Sequence, residues 1–428
     1  MRRTTPLLLT ALMIVLIALP ACGPEMETPA PSGPAVPTAD PAPLSLPGEL
    51  DGMTWPEIVA AADGETVNWW MWGGSDVINS WVNGWVKDEL ARRFNITLNQ
   101  VPVAGPTEFI NQALGEREAG NHDDGSVDIM WINGENFRTM READLLYGPW
   151  SRQVPASRFV DWSDESIALD FGYPVEGYEL PFGSAQFVMG YNSERVPDPP
   201  RTMAGLLEWI EEHPGQFAYP APPDFTGSVF VRHVCYHAVG DYAPFLGDFD
   251  PDLFEAEFPA CWELLNEIEP YLWREGQTYP ETVAALQELF ANGEVVFEMS
   301  YDVGGVQSRI ESGRYPESAD TFVFEGGTIA NTNYIAVAYN SPHKAAALVV
   351  ADLLCGPAAQ LDAAEALNWT TPLSLDRLPA EWQAAFEAVP RGEAMLAPEV
   401  LEQHRLPELP SPWLIAIEEG WVENVLQE

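Results

Sequence analysis

Trp72, Glu135, Asp224, Tyr301 and Asp302 are the side chains best suited to engage a small molecule. Each sits beside flexible or hydroxylated residues at the end of an apolar run: Trp72 before Gly73-Gly74-Ser75, Glu135 within Asn133-Gly134-Glu135-Asn136, Asp224 ahead of Phe225-Thr226-Gly227-Ser228, and Tyr301-Asp302 after 295–299. Aromatic faces attract cations and carboxylates pair with them. The set therefore suits a cationic or heteroaromatic ligand better than an oxyanion. Gly73 and Gly74 let a ligand approach the backbone closely, and Ser75, Thr226 and Ser228 place hydroxyls where helices begin and unpaired N–H groups collect.

Patterns for covalent chemistry are missing. There is no Gly-x-Ser-x-Gly elbow, P-loop, Gly-x-Gly-x-x-Gly, Cys-x-x-Cys or His-Glu-x-x-His, so no catalytic residue, cofactor or metal site is expected. Asp248-Phe249-Asp250-Pro251-Asp252 starts like a calcium loop, but Leu253 stands where the glycine belongs and Pro259 where the closing glutamate belongs; it reads as a helix cap. The rival reading is an extracellular glycan hydrolase, which would need a carboxylate pair drawn from Glu135, Asp224 and Asp302.

The elements that position these residues alternate along the chain. Strands are predicted at 66–72, 127–131, 185–191, 217–219 and 295–299, and helices at 53–62, 76–94, 202–212, 228–237 and 280–292. This alternation predicts an α/β architecture with mainly parallel sheets flanked by helices. About 400 mature residues exceed what one core usually supports, so two lobes are expected. Ligands on such sheets lie beyond the carboxyl ends of strands, which is where the four loops fall.

Four segments resemble the extracellular solute-binding proteins of ABC importers, most closely a family 1 subgroup. They are Val67-Asn68-Trp69-Trp70-Met71-Trp72-Gly73-Gly74-Ser75, Trp131-Ile132-Asn133-Gly134-Glu135-Asn136-Phe137, Gly293-Glu294-Val295-Val296-Phe297-Glu298-Met299-Ser300 and Gly327-Thr328-Ile329-Ala330-Asn331-Thr332-Asn333-Tyr334. The resemblance covers about 67–360 and implies a two-lobed, type 2 periplasmic-binding-protein fold, with the ligand in the cleft between lobes. Lobe 1 is expected to hold 66–185 with about 322–345, lobe 2 to hold 186–321, and 346–428 to form a helical region packed on both. The lobes would close by hinge motion through 185–191 and 330–337. The implied ligand-binding set is Trp72, Gly73, Gly74, Ser75, Asn133, Glu135, Asn136, Asp224, Thr226, Ser228, Tyr301, Asp302, Asn333 and Tyr334. The implied partners are a small-molecule ligand and an ABC permease with its ATPase, the receptor itself acting as a monomer and not as an enzyme.

Arg2 and Arg3, the apolar run 7–19 and Leu19-Pro20-Ala21-Cys22 form an export signal that resembles a lipobox. The run is too short to span a bilayer. Cleavage before Cys22 would leave a lipidated cysteine on the outer face of the cytoplasmic membrane, followed by a Pro/Ala-rich spacer within 22–65. Loss of Arg2 and Arg3 and of no acid takes the net charge from −45 to −47. Such a surface has no general affinity for nucleic acid or anionic lipid, so membrane contact is expected through the lipid alone, and it suits a salt-adapted protein. Cys235, Cys261 and Cys355 remain; nearness in sequence favours Cys235 with Cys261, though spacing alone leaves the pairing open.

Overall fold

A computed structural model describes residues 42–426; the export signal, Cys22 and the start of the spacer lie outside them. Its strands are β1 (Thr66–Trp72), β2 (Thr97–Val103), β3 (Ile129–Ile132), β4 (Leu169–Asp170), β5 (Tyr173–Pro174), β6 (Glu179–Gln186), β7 (Val188–Asn192), β8 (Phe297–Ser300), β9 (Ala319–Phe322), β10 (Thr328–Val337) and β11 (Arg405–Leu406).

The larger sheet runs β11-β10-β3-β1-β2, with β6 also paired to β10. β1 is parallel to β2 and β3, while β10 runs antiparallel to β3 and β6. The alternation of Thr-Val-Asn-Trp-Trp-Met-Trp explains why β1 sits centrally. Val67, Trp69 and Met71 face one core with the helix Lys344–Cys355, and Trp70 faces another with Phe109 and Phe137. The smaller sheet, β8-β7-β9, is antiparallel and packs on the helices Phe225–Val239, Pro259–Ile268 and Ser411–Trp421. Two sheets with separate cores make two lobes. The parallel arrangement predicted for the chain is thus found in the first sheet.

Most predicted elements appear within three residues of their expected bounds. The predicted strand 185–191 is two strands meeting at Phe187, whose buried N–H bonds to the Ile329 carbonyl where the chain crosses from one sheet to the other. The predicted helix 76–94 is Asp76–Trp81 and Lys87–Phe94 joined by a π-helical turn, Val82–Val86, that contains Gly84. Segment 217–219 is buried but belongs to no strand: Pro220, Pro222 and Pro223 follow directly and withhold ladder donors. Asp250 caps the helix Pro251–Glu257, as the failed calcium pattern predicted.

A disulfide joins Cys235 to Cys261, tying two helices of the second core, and Cys355 is a buried free thiol. At a separation of 26 residues the chain-entropy relation gives such a link about 3 to 4 kcal/mol of stabilisation. No single helix among the described residues is long and apolar enough to cross a membrane.

Candidate functional site

β1 ends in Trp72, and the chain turns through Gly73-Gly74 into a helix capped by the Ser75 hydroxyl, which accepts from the Ile78 N–H. The glycines are needed for packing. A Cβ on Gly73 would lie 2.6 Å from Pro102, and one on Gly74 would enter the Trp72 indole. Held in this way, Trp72 stands perpendicular to Trp131 at the end of β3, with ring centroids 6.4 Å apart. Trp131 in turn meets Trp369 edge-on at 5.7 Å, and Phe182 of β6 lies against both at 5.2 and 5.6 Å. Phe182 is buried, whereas Trp72, Trp131 and Trp369 are half-buried, which leaves indole surface available along the strand ends.

A polar edge adjoins this wall. Asn133 is extended and makes no side-chain cap bond, so its amide donates instead to Asn333 Oδ1 at 3.3 Å. Asn333 pairs with Gly183 across β10 and β6, which places the contact on the crossing strands. Gly134 has φ +65°, and the Phe171 ring would lie 3.3 Å from a Cβ there, so glycine alone suits the turn; its N–H donates to Asp170. Asn136 donates to Glu135 Oε1 at 2.7 Å. Glu135 Oε2 is buried without a hydrogen-bond partner, and burial raises the pKa of this carboxyl.

The second lobe presents a buried ion pair. Arg232, fully buried on the helix Phe225–Val239, meets Glu408 at 3.2 Å. Its guanidinium also donates to the hydroxyls of Ser228 and Tyr301, and Tyr301 donates to Glu408 at 2.9 Å. The Tyr301 ring lies 5.0 Å from Phe225, which reaches Phe171 of the first lobe at 5.9 Å. Asp302 accepts from the Gly304 N–H; burial pushes its pKa up to about 6, opposed by nearby Arg309. With Gly74, Ser75 and Asp76 opposite, Asp302 and Arg309 line a cavity of about 70 Å³.

Contacts thus join Asn133 to Asn333, Asn136 to Glu135, and Ser228 and Tyr301 to Arg232, while Gly74, Ser75 and Asp302 line one cavity. Three expected ligand contacts are engaged elsewhere. Asp224 caps its helix: Oδ1 accepts from Thr226 and Gly227 and Oδ2 from Val283. Thr226 is buried in that first turn, and Gly227 is pressed against the Pro220 carbonyl. Tyr334 lies in the core, its hydroxyl bonded to the carbonyls of Ser166 and Ile167. Trp369 escaped sequence reading because no strand precedes it. Arg232 carried a usable signal, a lone charge amid apolar helix residues. Among the described residues no group of three or more His, Cys, Asp or Glu is placed to hold a metal ion.

Residues 85–389 match the family of bacterial extracellular solute-binding proteins. Protein YnjB of Escherichia coli (strain K12) is 34% identical over 372 residues, spanning 86% of this chain and 93% of that protein. A putative spermidine/putrescine ABC transporter from Listeria monocytogenes superposes with a TM-score of 0.60 at 13% identity, covering 85% of this chain and 99% of the other. The TpPotD lipoprotein of Treponema pallidum does so with 0.62 at 11% identity, covering 83% and 97%. At these identities the structural likenesses establish the fold.

Proposed function

Because the chain belongs to the family of bacterial extracellular solute-binding proteins, we propose that it is the receptor of an ABC importer, capturing a small cationic or heteroaromatic solute between its lobes and delivering it to a membrane permease. Binding, not turnover, is the function of this family. The observations that carry the solute class are the wall of Trp72, Trp131 and Trp369 and, in the first helical turn after β3, the buried oxygen of Glu135 that has no hydrogen-bond partner. Indole faces and a carboxylate with a buried oxygen left to pair both favour positive charge.

A thermal-shift screen tests this with thiamine and spermidine as cationic probes against citrate and glucose. At about 100 times its dissociation constant a bound probe adds roughly 2.7 kcal/mol of stability. Expected is a rise in melting temperature with at least one cation and none with citrate or glucose; the reverse pattern would refute the cationic assignment.

The export signal ending at Cys22 supports lipid anchoring of the mature protein. Wild-type protein is expected to partition with membranes, and Cys22→Ser to be released or left unprocessed. Soluble wild-type protein with an unmodified Cys22 would contradict this.

A further inference from the structure

Building on the reading of this protein as a receptor that closes on its solute, we propose that Asn368 is a positioning residue, the latch that docks the second lobe onto the segment carrying Trp369 and so holds the closed state.

The latch starts at a helix end. Helix Pro357–Leu367 packs into the first core, and Asn368 stops it in the left-handed region at φ +58° and ψ 31°. Asparagine is one of the few residues with a side chain that tolerate this conformation. The Asn368 amide does not turn back onto the helix that it ends. It donates to the Ser308 hydroxyl at 3.1 Å, and that hydroxyl donates in turn to the Leu367 carbonyl at 3.3 Å. Ser308 lies on helix Gly305–Glu311, whose Val306 is part of the second core. One hydroxyl thus joins the lobes as both donor and acceptor, and it occupies a carbonyl that the last helical turn leaves without an intrahelical partner.

Gly304 supplies an independent observation. It is the third residue of the turn Asp302–Gly305, closed by the Gly305 N–H on the Asp302 carbonyl, and its φ of −97° and ψ of −2° are type I values that most residues adopt. The turn itself does not require glycine. A Cβ there would nevertheless lie 2.4 Å from Asn368 Cβ and 2.5 Å from the Asn368 carbonyl oxygen, and its three nearest atoms all belong to Asn368. The missing side chain is therefore needed where the lobes meet. Along the same seam, Ser308 and Leu367 line the cavity of about 70 Å³ together with Gly74 and Ser75 of the first lobe and Asp302 of the second. Next to Asn368, Trp369 stands in the indole wall, and the Thr370 carbonyl accepts from the Ser184 N–H on β6. Three consecutive residues touch the opposite lobe, the wall and a crossing strand. A solute stacked on Trp369 orders this segment and presents Asn368 to Ser308; docking in return slows the solute's escape.

Two measurements test the latch. The first needs no solute. Ser308→Cys and Asn368→Cys are combined in the mature protein, where Cys355 is buried and Cys235 and Cys261 are bonded to each other. A short bismaleimide should link the two positions, as read by mass spectrometry of the linked peptides. Adding Gly304→Ala should slow the linking about 5- to 150-fold, the range for forcing a methyl group into a packed contact, in a protein that still melts in one cooperative transition. No link, or a link formed equally fast with Gly304→Ala, overturns the latch whatever the solute. The second measurement follows thiamine and spermidine by stopped-flow. Asn368→Gly keeps the left-handed helix end and removes the amide, so affinity should fall about 2- to 12-fold, the worth of one hydrogen bond, with the loss in the dissociation rate. Ser308→Ala should behave alike. Cation binding with dissociation rates unchanged in both variants refutes the latch and leaves the cation reading standing. Linking as expected in a protein to which neither cation binds refutes the cation reading and leaves the latch standing.

Discussion

Arg232→Met is expected to destabilise the protein by about 3 to 5 kcal/mol, more than any other single polar substitution at the lobe interface. The Arg232 side chain is fully buried and that of Glu408 is 5% exposed, so removing the guanidinium strands a carboxylate in the interior. Tyr301 and Ser228 lose their donor at the same time. The deficit should depend on pH. Burial already holds the Glu408 pKa above its ordinary value, and Arg232 is the main influence lowering it, so in the variant it rises further. A group whose folded pKa exceeds the unfolded one costs stability as pH climbs from the unfolded value through the folded one. The variant should therefore compare best with wild type near pH 5 and worst near pH 8, by urea unfolding. Adding Glu408→Leu should recover most of the loss, since an apolar pair can replace a buried ion pair at little cost. A deficit below about 1 kcal/mol at pH 8 would mean that water reaches the pair and that the interface is looser than its geometry.

What the sequence disclosed here, and what it concealed, follows from how local each signal is. β1, its glycine turn and the Ser75 cap were legible because strand alternation, turn and cap lie within ten consecutive residues. The helix capped by Asp224 was legible too, but its carboxylate was read as a ligand contact when the backbone N–H groups of Thr226, Gly227 and Val283 consume it. A cap and a binding carboxylate look alike in sequence; they differ in whether lone pairs remain. Tyr334 failed for a related reason. The register of β10 against β6 shifts between Asn333 and Tyr334, and Tyr334 is fully buried while its neighbour Asn333 is only half-buried. The third indole and the buried ion pair depend on contacts between residues far apart in the chain: Trp369 with Trp131, and Glu408 with Arg232. No local pattern announces such contacts.

Trp369→Ala should weaken binding of thiamine or spermidine by roughly 2- to 30-fold, the range expected for removing a cation–π partner worth about 0.5 to 2 kcal/mol, while leaving the unliganded protein folded. The residue is half-buried and its ring meets Trp131 and Phe182 by its edge, so part of its surface stays open and part secures the wall. Its neighbours also matter. Asn368 donates to the Ser308 hydroxyl on the second lobe, the Gly304 backbone presses on Asn368, and the Thr370 carbonyl accepts from Ser184 of β6. The segment thus touches the indole wall, a crossing strand and the opposite lobe together, and a solute stacked on Trp369 would help to fix all three. Trp72→Ala should weaken binding in the same range, because its ring is the opposite end of the wall. Trp369→Phe should lose less than alanine, since an aromatic face is kept. Tyr334→Phe serves as the contrasting substitution: its hydroxyl is buried and donates to the carbonyls of Ser166 and Ile167, so affinity should not change even if stability drops. Calorimetry decides among these. Equal affinities in wild type, Trp369→Ala and Trp72→Ala would show that the indoles are only packing and that the solute sits instead against Asp302 and Arg309 in the cavity beyond Ser75.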